Sequence, residues 1–260
     1  MNKRKGFTLI EIALFLAVTA ALFIGIALGM ENSIFQQRRT DSIQNFLEFM
    51  RSIYSKVSNP QSPGAGNSKK EAIYGKLVVF GQDPSVNDDP IYTYDVIGDT
   101  RTDIGSGTVA SLLRQLNVNV LRKVESGGVE RAVPASPEKY DLRWGAGVEN
   151  TTHGKFVGSI MVVRHPKSGT INTLVMENVA IPVNAQNGST SDVSGFLTKY
   201  LDPSAPNKFT TREVDFCVNP NGVGQPTYSV PRQDIRILEN ARNASSVELV
   251  DLDSDDNRCR

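Results

Sequence analysis

From Phe7 to Met30 the chain is almost wholly apolar: Glu11 is the only charge, and Thr8 and Thr19 are the other polar side chains. As a helix this run is about 36 Å long, and a bilayer core is about 30 Å thick, so it is long enough to span one. The pattern then changes without a break. Residues 31–58 hold no proline and no glycine, and Ile43, Phe46, Leu47, Met50, Ile53, Tyr54 and Val57 recur at spacings of three and four. That is one apolar stripe on a helix. Ser58-Asn59-Pro60 is a stop signal, because the residue before a proline avoids the helical region. A helix over 7–58, about 78 Å long, is therefore expected. Residues 7–30 form its membrane or assembly half and 31–60 its amphipathic continuation.

Beyond Pro60 the period shortens. Gln61 to Ser68 is a turn-rich linker. The strands expected after it are Ile73–Phe80, Ile91–Val96, Phe156–Arg164, Thr170–Met176, Glu213–Val218, Asp234–Leu238 and Val247–Val250, separated by Gly, Pro, Asn and Asp clusters as in antiparallel sheets. Ser111–Leu116 and Val193–Tyr200 read as short helices. One long helix followed by strands is the α+β pattern, with the helix laid on a face of a sheet and residues 61–260 forming a β-rich domain.

Composition narrows the function. The 260 residues carry 28 Lys+Arg against 28 Asp+Glu, with 39% hydrophobic residues. Such a chain is neither disordered nor a strongly basic nucleic-acid binder. Two cysteines and two histidines exclude a four-cysteine zinc site and a disulfide-dense scaffold.

Lys3, Arg4 and Lys5 precede the apolar run, so the N-terminus is expected on the cytoplasmic side and the rest outside. The run is too long for a secretory signal peptide, whose apolar core is about 7–15 residues. Glu11 distinguishes it from a plain anchor. A carboxylate inside a spanning helix costs about 2.5–3.5 kcal/mol on insertion scales, which a partner must offset.

Lys3-Arg4-Lys5-Gly6 followed by Phe7-Thr8-Leu9-Ile10-Glu11 resembles the N-terminus of type IV pilins and of the pseudopilins of type II secretion. The resemblance covers residues 1–58 firmly and the rest loosely. It implies a pilin-like fold. It also implies a leader of residues 1–6 removed after Gly6 by a prepilin peptidase, which also N-methylates Phe7. Glu11 is implied as the assembly glutamate, pairing with the Phe7 amino group of a neighbouring subunit. The expected product is a structural subunit, inserted in the cytoplasmic membrane as a single-pass precursor and then built into an extracellular or periplasmic filament. A pseudopilin and a DNA- or surface-binding minor pilin are the alternatives. Many main pilin subunits carry a proline in the apolar stretch; none occurs here between Phe7 and Ser58. With the large head and suspected insertions around residues 100–150, that points to a minor subunit. Gly25 and Gly29 form a small-xxx-small face that permits close helix approach. Processing would leave 25 basic against 28 acidic side chains.

Cys217 and Cys259 both fall in the part expected outside the cytoplasm, where disulfides persist. Relatives in the resembled family often staple their C-terminal region this way, and a bridge here would stabilise by about 4 kcal/mol in the chain-entropy model. No nucleophile motif, phosphate loop or zinc motif is present, and nothing marks His153 or His165. The chain is expected to be no enzyme and to need no cofactor. Asp251, Asp253 and Asp255 alternate like the start of a calcium loop, but Asp256 takes the place of its glycine. A solvated acidic turn is the favoured reading. Arg232, Arg236, Arg242, Arg258 and Arg260 could contact phosphate, yet Asp234, Glu239 and Glu248 lie among them, so DNA binding is not favoured. Asn150, Asn187 and Asn243 begin glycosylation sequons.

Overall fold

The computed structural model describes residues 8–59, 71–80, 91–99, 121–126, 129–134, 138–149, 151–152, 155–177, 210–219 and 232–252. Its first element is a 50-residue helix, α1 (Leu9–Ser58), about 75 Å long. Thr8 caps its start, accepting from the Glu11 N–H at 3.3 Å while the Glu11 carboxylate accepts from the Thr8 N–H at 3.4 Å. This reciprocal arrangement is a capping box. At the other end the Ser58 carbonyl, one of the orphan acceptors of a helix terminus, accepts from Arg164 Nη1 at 2.6 Å. The helix ends where the pre-proline residue requires it to.

The strands follow as β1 (Glu71–Phe80), β2 (Ile91–Asp99), β3 (Leu121–Ser126), β4 (Val129–Pro134), β5 (Glu138–Tyr140), β6 (Gly147–Glu149), β7 (Thr151–Thr152), β8 (Lys155–Arg164), β9 (Ile171–Glu177), β10 (Val214–Asn219), β11 (Arg232–Ile237) and β12 (Val247–Leu252). One sheet runs β5-β2-β1-β8-β7, with β9 also paired to β8. A second runs β12-β11-β10-β6, and β3-β4 form a hairpin. All pairings are antiparallel. Two 2.7 Å backbone hydrogen bonds between Val175 of β9 and Thr210 tie the first sheet to the approach to the second. The α+β class expected from the order of periodicities is what the chain adopts.

The seven expected strands are present, several with moved ends: β11 starts at Arg232 and stops at Ile237, and β2 continues to Asp99. Short β5, β6 and β7 and the β3-β4 hairpin occupy part of the region read as insertions. Ser111–Leu116 and Val193–Tyr200 lie outside the described residues.

The stripe predicted on the helix is the stripe that packs. Ile43, Phe46, Leu47, Met50, Ile53, Tyr54 and Val57 are all buried, in one core with Val78, Phe80, Ile160 and Val162 of the first sheet and Phe216, Ile235 and Val247 of the second. The helix thus closes over both sheets. Phe216 is the centre of an aromatic cluster, edge-on to Phe46 at 5.8 Å and tilted against Phe80 at 5.0 Å. Phe49 stacks on Tyr140 at 3.8 Å.

Polar contacts fix the helix in rotation as well. Arg51 donates to the Val247 carbonyl through Nε and Nη2 at 3.2 and 3.0 Å. The Tyr140 hydroxyl donates to the Asn45 carbonyl at 3.0 Å. Buried Thr173 donates to the Ala241 carbonyl at 2.8 Å, so the Tyr54 hydroxyl, 2.8 Å from Thr173 Oγ1, is the donor in their bond. Burial pushes Tyr54, Tyr94 and Tyr140 each up to about 12.

In β1 a register irregularity between Ile73 and Gly75 marks a bulge. A Cβ at Gly75 would lie 2.2 Å from the Val162 carbonyl oxygen of β8. Glycine is required there for close backbone approach.

Candidate functional site

The site with the clearest chemical character is the half of α1 that none of the other described residues buries. From Leu9 to Ile26 the mean hydropathy is 2.5 and none of the 18 residues is buried. Leu9 is 85% exposed, and Phe15 and Phe23 are 69% exposed. An apolar patch of this extent is far beyond what soluble monomers expose. The helix is long and apolar enough to cross a membrane, by length and composition. A membrane anchor and a signal sequence both fit that description.

Its polar groups are satisfied from within. Thr19 Oγ1 donates to the Phe15 carbonyl one turn back, at 2.5 Å, the back-bond that threonine hydroxyls make within helices. Thr8 and Glu11 satisfy each other in the capping box. Its bonds are long, between 3.3 and 3.5 Å, at or beyond the outer limit of a good N–H···O bond. Glu11 therefore has a partner in its own chain, though one that engages its charge weakly. Gly25 has open space where a Cβ would stand, so a neighbour can approach closely at that point. Gly6 and Phe7 lie outside the described residues.

The other residues singled out in the sequence are scattered. Cys217 is buried in β10, while Cys259 lies outside the described residues. Asp251 is an exposed residue of β12, opposite Gln233, and Asp253 and Asp255 lie outside the described residues. Among the described residues no group of three or more His, Cys, Asp or Glu could hold a metal ion. Arg236 forms a fork with Asp215 at 2.7 and 3.3 Å and reaches Glu213 at 3.2 Å. Its guanidinium is engaged inside the protein. Arg242 is exposed; Arg258 and Arg260 lie outside the described residues, as do His153, Asn150 and Asn187. His165 Nδ1 accepts from the backbone N–H groups of Lys167 and Ser168, organising the turn between β8 and β9. Asn243 accepts from the Ser245 and Ser246 hydroxyls.

A small cavity of about 240 Å³ opens near the end of the helix, lined by Lys56, Lys76, Asp95 and Glu138 among others. Its charges are paired as Lys76–Asp95 at 2.5 Å and Lys56–Glu138 at 3.5 Å. This pairing leaves no nucleophile and no surplus charge for a ligand.

One surface feature has no sequence signal. The turn at Arg143-Trp144-Gly145 lies against the start of the buried half of α1, where its Arg143 carbonyl accepts from Ser42 at 3.1 Å. Trp144 is 56% exposed and adopts φ 65°.

No family model, no curated protein and no solved structure matches this chain.

Proposed function

We propose that the chain is a pilin-like structural subunit of a type IV pilus or related filament, and that it assembles through the apolar half of α1. One observation carries this reading: a continuous helix has one half locked into a β-rich domain and the other half wholly uncovered, with a single carboxylate in the first turn of the uncovered half. A helix tied to its own domain by seven buried stripe residues cannot fold back to hide its apolar half. That half needs lipid first and other helices later. The basic leader, Gly6, Phe7 and Glu11 supply the sequence support. In this mechanism a prepilin peptidase cuts after Gly6 and methylates Phe7. Glu11 then pairs with the Phe7 amino group of a neighbouring subunit and fixes axial register, while the apolar helices bury one another. The domain remains outside the cytoplasm, stapled by Cys217 and Cys259. The protein is a substrate of an enzyme and carries no catalytic centre. The same arrangement suits a pseudopilin, and the filament's identity follows from its co-purifying subunits.

The capping box sharpens the test. Glutamine can serve the capping role that glutamate serves, but it carries no charge. Glu11→Gln and Glu11→Ala should both be processed to a methylated N-terminus at Phe7 and both be lost from sheared filaments. Filament incorporation of either at the native level would refute the charge-pairing mechanism. A native N-terminus that still begins at Met1 would refute the processing.

A further inference from the structure

The Arg143-Trp144-Gly145 turn is built in a way the fold does not explain. Trp144 has φ 65° and ψ 17°, Gly145 has φ 69°, and the Ala146 N–H donates to the Arg143 carbonyl at 3.3 Å. Two consecutive central residues at positive φ, closed by a bond across four residues, make a type I′ turn. Glycine, asparagine and aspartate suit both central positions, and a bulky aromatic is an outlier there. Burial does not repay that strain, since the indole is 56% exposed. What holds it is α1: Ser42 bonds the Arg143 carbonyl, and the Arg38 guanidinium lies 5.1 Å from the indole centroid, one helical turn nearer the apolar half. Strain held in place by surrounding contacts is a mark of function.

The position of the turn indicates what it faces. Arg39 is the first buried residue of α1 among those described. The turn is therefore packed on the end of the domain nearest the apolar half. Arg38 lies eight residues past Met30, about 12 Å along the axis. Helix side chains reach back toward the N-terminus, which brings its guanidinium nearer the apolar segment than its Cα. If the span ends near Met30, the outermost part of the headgroup layer begins within a side chain's reach of this point. Tryptophan and arginine are the residues that settle at such interfaces. Asp41 and Asp141 are the acids within three residues of Arg38 and Arg143, and Asp141 is paired with Lys139 at 2.8 Å; Glu31 lies between Met30 and Arg38 in sequence.

We infer that Trp144, Arg38 and Arg143 form a foot that seats the domain on the phospholipid headgroup layer, the indole entering the interface and the guanidinium groups meeting lipid phosphate. The foot orients the subunit before assembly. It rests on the proposed membrane insertion of α1, and its test separates the two.

Trp144 is the chain's only tryptophan, so its fluorescence reports this site alone. The full chain is reconstituted into phosphatidylcholine vesicles containing a minority of phosphatidylglycerol. A control carries Trp144→Phe with Lys167→Trp, which moves the indole to the exposed turn beside Arg164, at the far end of the helix and about 30 Å away by helical rise. Native Trp144 should be quenched by a nitroxide on the lipid headgroup at least about twofold more than by one at mid-chain, while the relocated indole responds to neither. Arg38→Glu with Arg143→Glu should lower headgroup quenching severalfold with an unchanged circular dichroism spectrum. If Trp144 ignores both lipid labels and is as open to acrylamide as the relocated indole, while the chain resists carbonate extraction, the foot is overturned and insertion stands. Shielding that grows with protein density and not with lipid labelling would assign the turn to a second copy and overturn the foot equally. If carbonate strips the chain from the vesicles, insertion fails and the foot fails with it.

Discussion

Tyr54→Phe tests how the helix is locked to the sheets, because the change has opposite signs at neutral and alkaline pH. Tyr54 is 1% exposed, and its hydroxyl donates to Thr173 Oγ1, which in turn donates to the Ala241 carbonyl. Phenylalanine removes the first bond and leaves the second. The neutral-pH loss should be about 1 kcal/mol, typical for one intramolecular hydrogen bond. Burial pushes the phenol up to about 12 from 10.0. A group whose folded value is raised stabilises fully below its unfolded value and loses that contribution as pH rises toward the folded one. Between pH 10 and 12 the unfolded chain releases this proton first, so stability falls with pH. At about 1.4 kcal/mol per unit, the native protein should lose about 2 kcal/mol through Tyr54 alone by pH 12. The variant lacks that ionisation. Tyr94 and Tyr140 titrate in both proteins and drop out of the difference. The two stability curves should therefore cross between about pH 10 and 11. Guanidinium unfolding of the detergent-solubilised chain, followed by near-ultraviolet circular dichroism from pH 7 to 12, measures the crossing. Parallel curves over that range would refute the assignment of Tyr54 as a buried neutral donor.

Gly75→Ala forces a Cβ to within 2.2 Å of the Val162 carbonyl oxygen and should cost about 3 kcal/mol, the upper end for overpacking; a melting temperature within error of the native one would contradict the close approach of β1 to β8. Phe46→Ala removes a fully buried ring from the Phe80–Phe216 cluster and should cost about 3–5 kcal/mol, read by the same unfolding assay, with membrane insertion of the apolar half unchanged by carbonate extraction. Exported protein should take up no thiol label at Cys217 or Cys259 until reduced, and two labels without reductant would exclude the staple.

The helix and its stripe were legible because a period of three to four is a local property, and all seven stripe residues are in the core. The strands were legible where β-branched and apolar residues ran together, as in β1, β8 and β10. The β3-β4 hairpin is not among the expected strands. Gly127-Gly128 between Ser126 and Val129 is a hairpin signal, but the flanking segments carry Arg, Lys and Glu in place of clean alternation. The Tyr54–Thr173–Ala241 chain joins three distant parts of the sequence, and no local pattern reports such a bond. The left-handed backbone of Trp144 runs against residue preference and was invisible for that reason. At Glu11 the missing information was present: Thr8-x-x-Glu11 is itself a capping-box spacing. Reading Glu11 only as a charge in lipid passes over the partner three residues away.

That partner changes what assembly has to accomplish. The two bonds that the Glu11 carboxylate accepts, from the Thr8 N–H and hydroxyl, are 3.4 and 3.5 Å long, and both donors are neutral, so its charge remains to be paired. If the leader is removed as proposed, a new amino group appears on Phe7, the residue before the Thr8 cap and four before Glu11 in sequence. The amine can then meet its own Glu11 or a neighbour's. In a single subunit the cis pair would form at the frayed start of the helix, where four N–H groups have no intrahelical acceptor. In a filament the trans pair would be surrounded by apolar helices, where a charge-assisted bond is stronger and an unpaired charge is more costly. Exchange from cis to trans would let the processed subunit sit in lipid without an isolated charge and still make register energetically decisive on assembly. The capping box then holds the carboxylate in the geometry from which either amine can be reached; Glu11→Gln keeps that cap without the charge and Glu11→Ala removes both, so loss of both variants from filaments assigns the effect to the charge.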